Sequence, residues 1–206
     1  MLLVRSARGA CCSLSSVRHD IPRLLTGSTA NIGRMRTFLS GVLATVVAVA
    51  VCGLLAIKLG LVPANADAKP GKLETWAAKT ALKATIAREE PKGDPPLAPS
   101  SANLRTGMEL YRQNCQVCHG AAGARPSNIA RGLYQKAPQL AKHGVEDDPA
   151  GETYWKVTHG MRFTGMPAFA NTLNETQRWQ VTLFLKHMDD LPMDVAAAWR
   201  HPASRH

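Results

Sequence analysis

The chain is short of acidic residues, of paired cysteines and of long β-branched runs, and each shortage excludes something. Fifteen Asp+Glu face 25 Lys+Arg in 206 residues, for a net charge of +10. The imbalance is local: residues 1–64 hold 7 Lys+Arg and 1 Asp+Glu, residues 65–100 hold 6 and 5, and residues 101–206 hold 12 and 9. Most of the excess precedes an uncharged run, where it reads as a topology signal and not as a phosphate-binding face, so nucleic acid is excluded as the expected partner. Beyond that run the 5 cysteines leave one pair, Cys115 and Cys118, and a zinc site built from two paired half-sites is excluded. Few β-branched runs surround the pair, which argues against the βαβ setting of a thioredoxin-like redox site. No internal repeat is visible.

What is present first is an apolar segment. Thr37 to Ile57 are 21 consecutive residues without charge, enough at ~1.5 Å per residue for a helix to cross a bilayer core. Arg5, Arg8, Arg18, Arg23, Arg34 and Arg36 precede it, which predicts a cytoplasmic N-terminus and export of everything after Lys58. The expected location is the bacterial inner (cytoplasmic) membrane, single-pass, with the downstream domain in the periplasm. A signal peptide cleaved after Ala66 is the rival, since Ala64-Asn65-Ala66 fits the small-x-small pattern. The run exceeds the usual roughly 7–15 apolar residues and Lys58 separates it from that site, which favours an uncleaved anchor. Val51 before Cys52 argues against lipoprotein processing.

Composition divides the rest. Residues 1–36 read as a disordered cytoplasmic N-terminus, with Met35 an alternative start that would leave Cys11 and Cys12 outside the protein. Residues 58–100 read as a spacer: an Ala-rich helix over Leu73 to Arg88, packing Leu73 and Trp76 on one side, then a Pro-dense, semi-extended linker from Glu90 to Ser100. A compact helical domain is expected over 101–192 and a C-terminal extension over 193–206. A domain of about 100 residues buries proportionately little surface and gains from a metal or covalent staple.

Cys115-Gln116-Val117-Cys118-His119 is the attachment signature of a c-type haem. Two thiols form thioethers to the porphyrin vinyl groups while the next residue offers an imidazole to the iron from the same turn of chain. The sixth iron ligand must come from elsewhere. Gly160-Met161-Arg162-Phe163-Thr164-Gly165-Met166-Pro167 points to Met166, presented by a short loop that Gly165 and Pro167 would shape; Met161 is the competitor. His159 closes a helix-like stretch before Gly160 and reads as a helix-end residue, and His143, His187, His201 and His206 read as surface residues.

The sequences NCQVCHG and TGMPAF, in that order, resemble the class I mono-haem c-type cytochromes of the membrane-anchored bacterial type, over residues 101–192. The resemblance implies an all-α fold, a cytochrome c-like haem domain preceded by an N-terminal transmembrane helix. It implies one covalent haem c, its iron held by His119 and Met166, and a contact between N- and C-terminal helices through Gly107, Tyr111, Val181 and Phe184. A proline carbonyl accepts a hydrogen bond from the proximal imidazole in that family, and Ala137-Pro138-Gln139-Leu140 makes Pro138 the candidate. Asn103 is the expected cap of the first helix, over Leu104 to Gln113, and Glu175 to Met188 the second helix. Trp155, Arg131 and Arg162 are candidates to bond or shield the haem propionates.

An iron with six ligands has no place for a small-molecule substrate. The expected function is electron transfer by a tethered carrier between a redox-protein donor and acceptor. The alternatives are a cytochrome subunit of a membrane oxidoreductase complex and a haem gas sensor or enzyme, which would need an open iron position.

Overall fold

A computed structural model describes residues 27–200 of the chain. The expectations for Cys11 and Cys12 and for His201 and His206 fall outside them. The described residues divide into two compact units at Val62/Pro63, and among them every regular element is a helix.

The first unit is α1, Gly27–Lys58. It is long and apolar enough to cross a membrane over Asn31–Lys58. It begins well before Thr37, so the last part of the segment read as disordered is helical. Once a helix is nucleated, each further residue adds one hydrogen bond for one residue fixed, and the Arg34 and Arg36 side chains cost nothing at an exposed helix end. Gly60 ends the helix in the left-handed region at φ 69, where the Leu61 N–H donates to the Ala56 carbonyl at 2.9 Å.

The second unit holds α2 (Lys72–Glu89), α3 (Ser101–Asn114), α4 (Gln116–His119), α5 (Asn128–Gly132), α6 (Ala150–His159), α7 (Glu175–Lys186) and α8 (Met193–Arg200). The pair α3 and α7 forms its centre. Ser100, not Asn103, caps α3, accepting from the Asn103 N–H at 3.3 Å, so the helix starts earlier than Leu104. Asn174 caps α7 in a reciprocal box with Gln177, at 2.9 and 3.0 Å. Leu104, Met108 and Tyr111 of α3 and Val181 and Phe184 of α7 are buried between them. A Cβ on Gly107 would lie 2.0 Å from the Gln180 carbonyl oxygen and 2.9 Å from the Phe184 Cβ, so only glycine admits this approach of the two backbones.

Two boundaries differ from the sequence reading. The extension after 192 is part of the core: Val195 and Trp199 of α8 are buried, and the Trp199 ring meets Tyr111 and Phe184 edge-on at 5.6 and 5.2 Å. Arg105 pairs with Asp194 at 2.7 Å. The spacer is also attached. Ile86 of α2 is buried, Glu89 accepts from Trp155 Nε1 at 3.3 Å, and Glu74 accepts from the Tyr134 hydroxyl at 2.8 Å. The Pro-dense stretch lies on α6, where a Cβ on Gly151 would come 2.1 Å from the Pro91 carbonyl oxygen. Leu97 packs on the core. Leu73 and Trp76, expected to pack, face outward at 75% and 64% exposure, because the inner side of α2 is the Thr75, Leu82 and Ile86 line.

Candidate functional site

The site begins where α3 gives way to α4. Cys115 joins the two, as the C-cap of one and the N-cap of the other. The His119 and Cys118 N–H groups donate to its carbonyl at 2.9 and 3.0 Å, so Cys115, Cys118 and His119 occupy one tight turn. Gly120 leaves it at φ 85, a region that favours glycine, and its carbonyl accepts from the buried Tyr111 hydroxyl at 2.7 Å. The turn is thereby fastened to the α3–α7 core.

Opposite charge plays little part here. Burial, reinforced by Cys118, pushes the Cys115 thiol up to about 12, so this thiol is not an activated nucleophile at neutral pH, as a catalytic cysteine would be. Burial also holds the His119 imidazole below its ordinary pKa, against the opposing hydrogen bond to Pro138. His119 Nδ1 stands 3.0 Å from the Pro138 carbonyl oxygen. A carbonyl only accepts, so Nδ1 carries the proton and the Nε2 lone pair is free for a metal.

Pro138 is held in turn by Gln139, whose Nε2 donates to the Cys118 carbonyl at 3.0 Å and the Ala137 carbonyl at 3.2 Å. The Leu140 N–H donates to the His119 carbonyl at 2.9 Å. Gln139 stood inside the quoted segment without a role. Nothing in a single sequence marks a glutamine that ties two loops.

The loop between α6 and α7 closes on itself. Met161 N–H donates to the Met166 carbonyl at 3.2 Å, the Thr164 hydroxyl donates to the Met161 carbonyl at 2.7 Å and accepts from Met166 N–H at 3.1 Å. The glycine this closure demands is Gly160, at φ 64, where a Cβ would lie 2.5 Å from the Pro167 carbonyl carbon. Gly165 serves a different end, since a Cβ there would meet the Leu133 side chain at 2.5 Å. Phe163 takes the left-handed φ of 59.

These pieces share one cavity of about 250 Å³, lined by Cys115, Cys118, His119, Pro138, Met161 and Met166 with Leu82, Leu133, Leu140, Val157, Phe169 and Leu185 among its walls. Protein interiors seldom keep voids larger than a water, and an apolar cleft of this size has room for a ligand. The donor set suits a porphyrin: two sulfurs and an imidazole on one turn, a thioether on another segment, and apolar walls. Lys136 and Lys156 are the cations of the lining. Arg131, Trp155 and Arg162 are not part of it: Arg131 bonds Asn128, and Trp155 lies on the side of α6 that turns to Glu89, away from Thr153, Lys156 and Val157. His159 is exposed beside Trp155, at 4.9 Å between rings, and does not line the cavity.

Residues 102–185 match the family described as cytochrome c oxidase, cbb3-type, subunit III. They form a c-type cytochrome domain. The cofactor of this cytochrome domain is a c-type haem with its iron. The cytochrome is also similar to a solved chain of the reducing HAO-like protein complex of Kuenenia stuttgartiensis, at 24% identity and a TM-score of 0.38, the match spanning 55% of this chain and 54% of that one. Among curated proteins none matches the sequence.

Proposed function

We propose that this protein carries one haem c, bonded through Cys115 and Cys118 with His119 and Met166 as axial ligands, and that it relays electrons as a carrier tethered to a membrane by α1. The observation that carries the reading is that both sulfurs, His119 and Met166 line one apolar cavity while His119 Nδ1 is committed to Pro138. When bound, the haem supplies a one-electron Fe(III)/Fe(II) couple. The protein's part is to fix the imidazole through Pro138 and Gln139, to present Met166 from a self-closed loop, and to exclude water with apolar walls. A thioether ligand favours the ferrous state, which raises the potential above that of bis-histidine ligation.

Haem staining after denaturing electrophoresis tests the covalent bond: a stained band is expected from the wild type expressed with a working maturation system and none from C115S/C118S. An unstained wild type would refute the proposal. The reduced protein should not bind carbon monoxide at neutral pH; binding would favour the sensor or enzyme alternative. The six arginines ahead of the uncharged run Thr37 to Ile57 support a haem domain on the periplasmic side of the inner membrane.

The second reading is a fixed subunit of a membrane oxidoreductase, favoured by the description of the matched family as an oxidase subunit. Purification in mild detergent separates the two, since a subunit stays with a large complex and a carrier runs alone.

A further inference from the structure

The outer face of α2 has no packing role in the domain. Its inner side is Thr75, Leu82 and Ile86, while Leu73 and Trp76 stand 75% and 64% exposed. At 100° per residue Trp76, Leu73, Ala77, Thr80, Ala84 and Ala87 share the outward face, with Lys72 and Lys83 on one border and Arg88 on the other. The acidic residues of the helix lie off this face and are engaged: Glu74 bonds Tyr134 and Glu89 bonds Trp155. The outward face is therefore apolar at its centre, basic at its borders and free of carboxylates.

We infer that this face of α2 lies on the surface of an anionic lipid bilayer, with Leu73 and Trp76 at the headgroup level and Lys72 and Lys83 against the phosphates. The inference rests on the reading of α1 as a membrane anchor. Two features favour lipid over a protein partner. Only residues 59–71 join α2 to the end of α1, a span of at most roughly 45 Å, so the helix stays within reach of the bilayer. Leu59, Leu61 and Val62 of that segment are exposed as well. Trp76 and Leu73 bordered by lysines are the residue types that settle at the headgroup level, an apolar body inward and a charged end outward, and anionic headgroups supply the complementary charge. Because Leu82 on the opposite side lines the cavity, such a contact sets the haem domain close to the bilayer with a fixed face toward it.

Hydrogen exchange of the full-length holoprotein tests this in vesicles of phosphatidylcholine alone and of phosphatidylcholine mixed with phosphatidylglycerol, with flotation as a control for insertion. Amides over 73–84 are expected to exchange slower by roughly fivefold or more in the anionic vesicles, the change one lysine at an anionic surface brings. Both L73S/W76S and K72E/K83E should lose the effect with haem content and α6 protection unchanged. Protein that floats but exchanges alike in both vesicles, or variants that behave as the wild type, would overturn the α2 contact alone. Failure to float would overturn the anchor and the contact with it.

Discussion

At the scale of single residues, the proposed ligand set makes Met166 separable from its neighbours. Met166→Ala should leave the haem covalently bound, open the iron to carbon monoxide and lower the midpoint potential, because a thioether that favours ferrous iron is gone. Met161→Leu, which keeps volume and the backbone bond to Met166, should change neither. Carbon monoxide difference spectra of the two variants check this, and carbon monoxide binding by M161L with none by M166A would reverse the assignment. The cysteines and His119 were readable in the sequence since their chemistry demands fixed spacing within one turn. Pro138 was readable only through the resemblance. The role of Gln139, the contact of Gly160 with Pro167 and the bond from the Tyr111 hydroxyl were not, because each acts on a residue beyond its own turn of chain: Gln139 reaches Cys118, Gly160 makes room for Pro167, and the Tyr111 hydroxyl holds Gly120.

At the scale of elements, α3 and α7 were visible from their apolar spacing, whereas α8 was not, being short and lying beyond Pro192, where helices usually stop. Trp199 seals the α3–α7 pair from outside, so Trp199→Ala should destabilise the domain by about 3–5 kcal/mol, measured by thermal or denaturant unfolding. Gly107→Ala attacks the same contact from inside, since its methyl meets the Gln180 backbone and not a movable side chain. A loss of about 1–3 kcal/mol is expected; an unchanged midpoint of unfolding would mean that the helices do not approach this closely. The Arg105 guanidinium holds the Asp194 carboxyl below its ordinary pKa against a smaller effect of burial. A depressed folded-state pKa gives stability that is present above the unfolded value of about 3.9 and lost as pH falls through the folded one. The attachment of α8 should therefore loosen only in acid below the usual carboxylate range. Trp199 fluorescence followed down in pH checks this, and the acid-dependent step should vanish in D194N.

At the scale of the whole molecule, what the sequence reading took as a spacer helix and semi-extended linker is mostly packed on the haem domain. Proline density predicts a stretch outside regular helix, and residues 91–100 lie outside one. It cannot report that Pro91 lies against Gly151, that Leu97 enters the core or that Leu82 walls the cavity. Of the residues between α1 and α3, only 59–71 lie outside these contacts, so under the proposed anchoring any swing of the domain would be confined to that short segment. A carrier tethered as proposed would sample donors and acceptors near the bilayer surface. Limited proteolysis of the full-length holoprotein separates the two arrangements. A packed α2 predicts that the first cut falls within 59–71 and releases a haem-bearing fragment that retains α2, identified by mass. A free linker predicts a first cut between 90 and 100 and a haem fragment beginning near Ser101. Gly151→Val, which would displace the Pro91 carbonyl, should move cleavage from the first pattern toward the second without removing the haem.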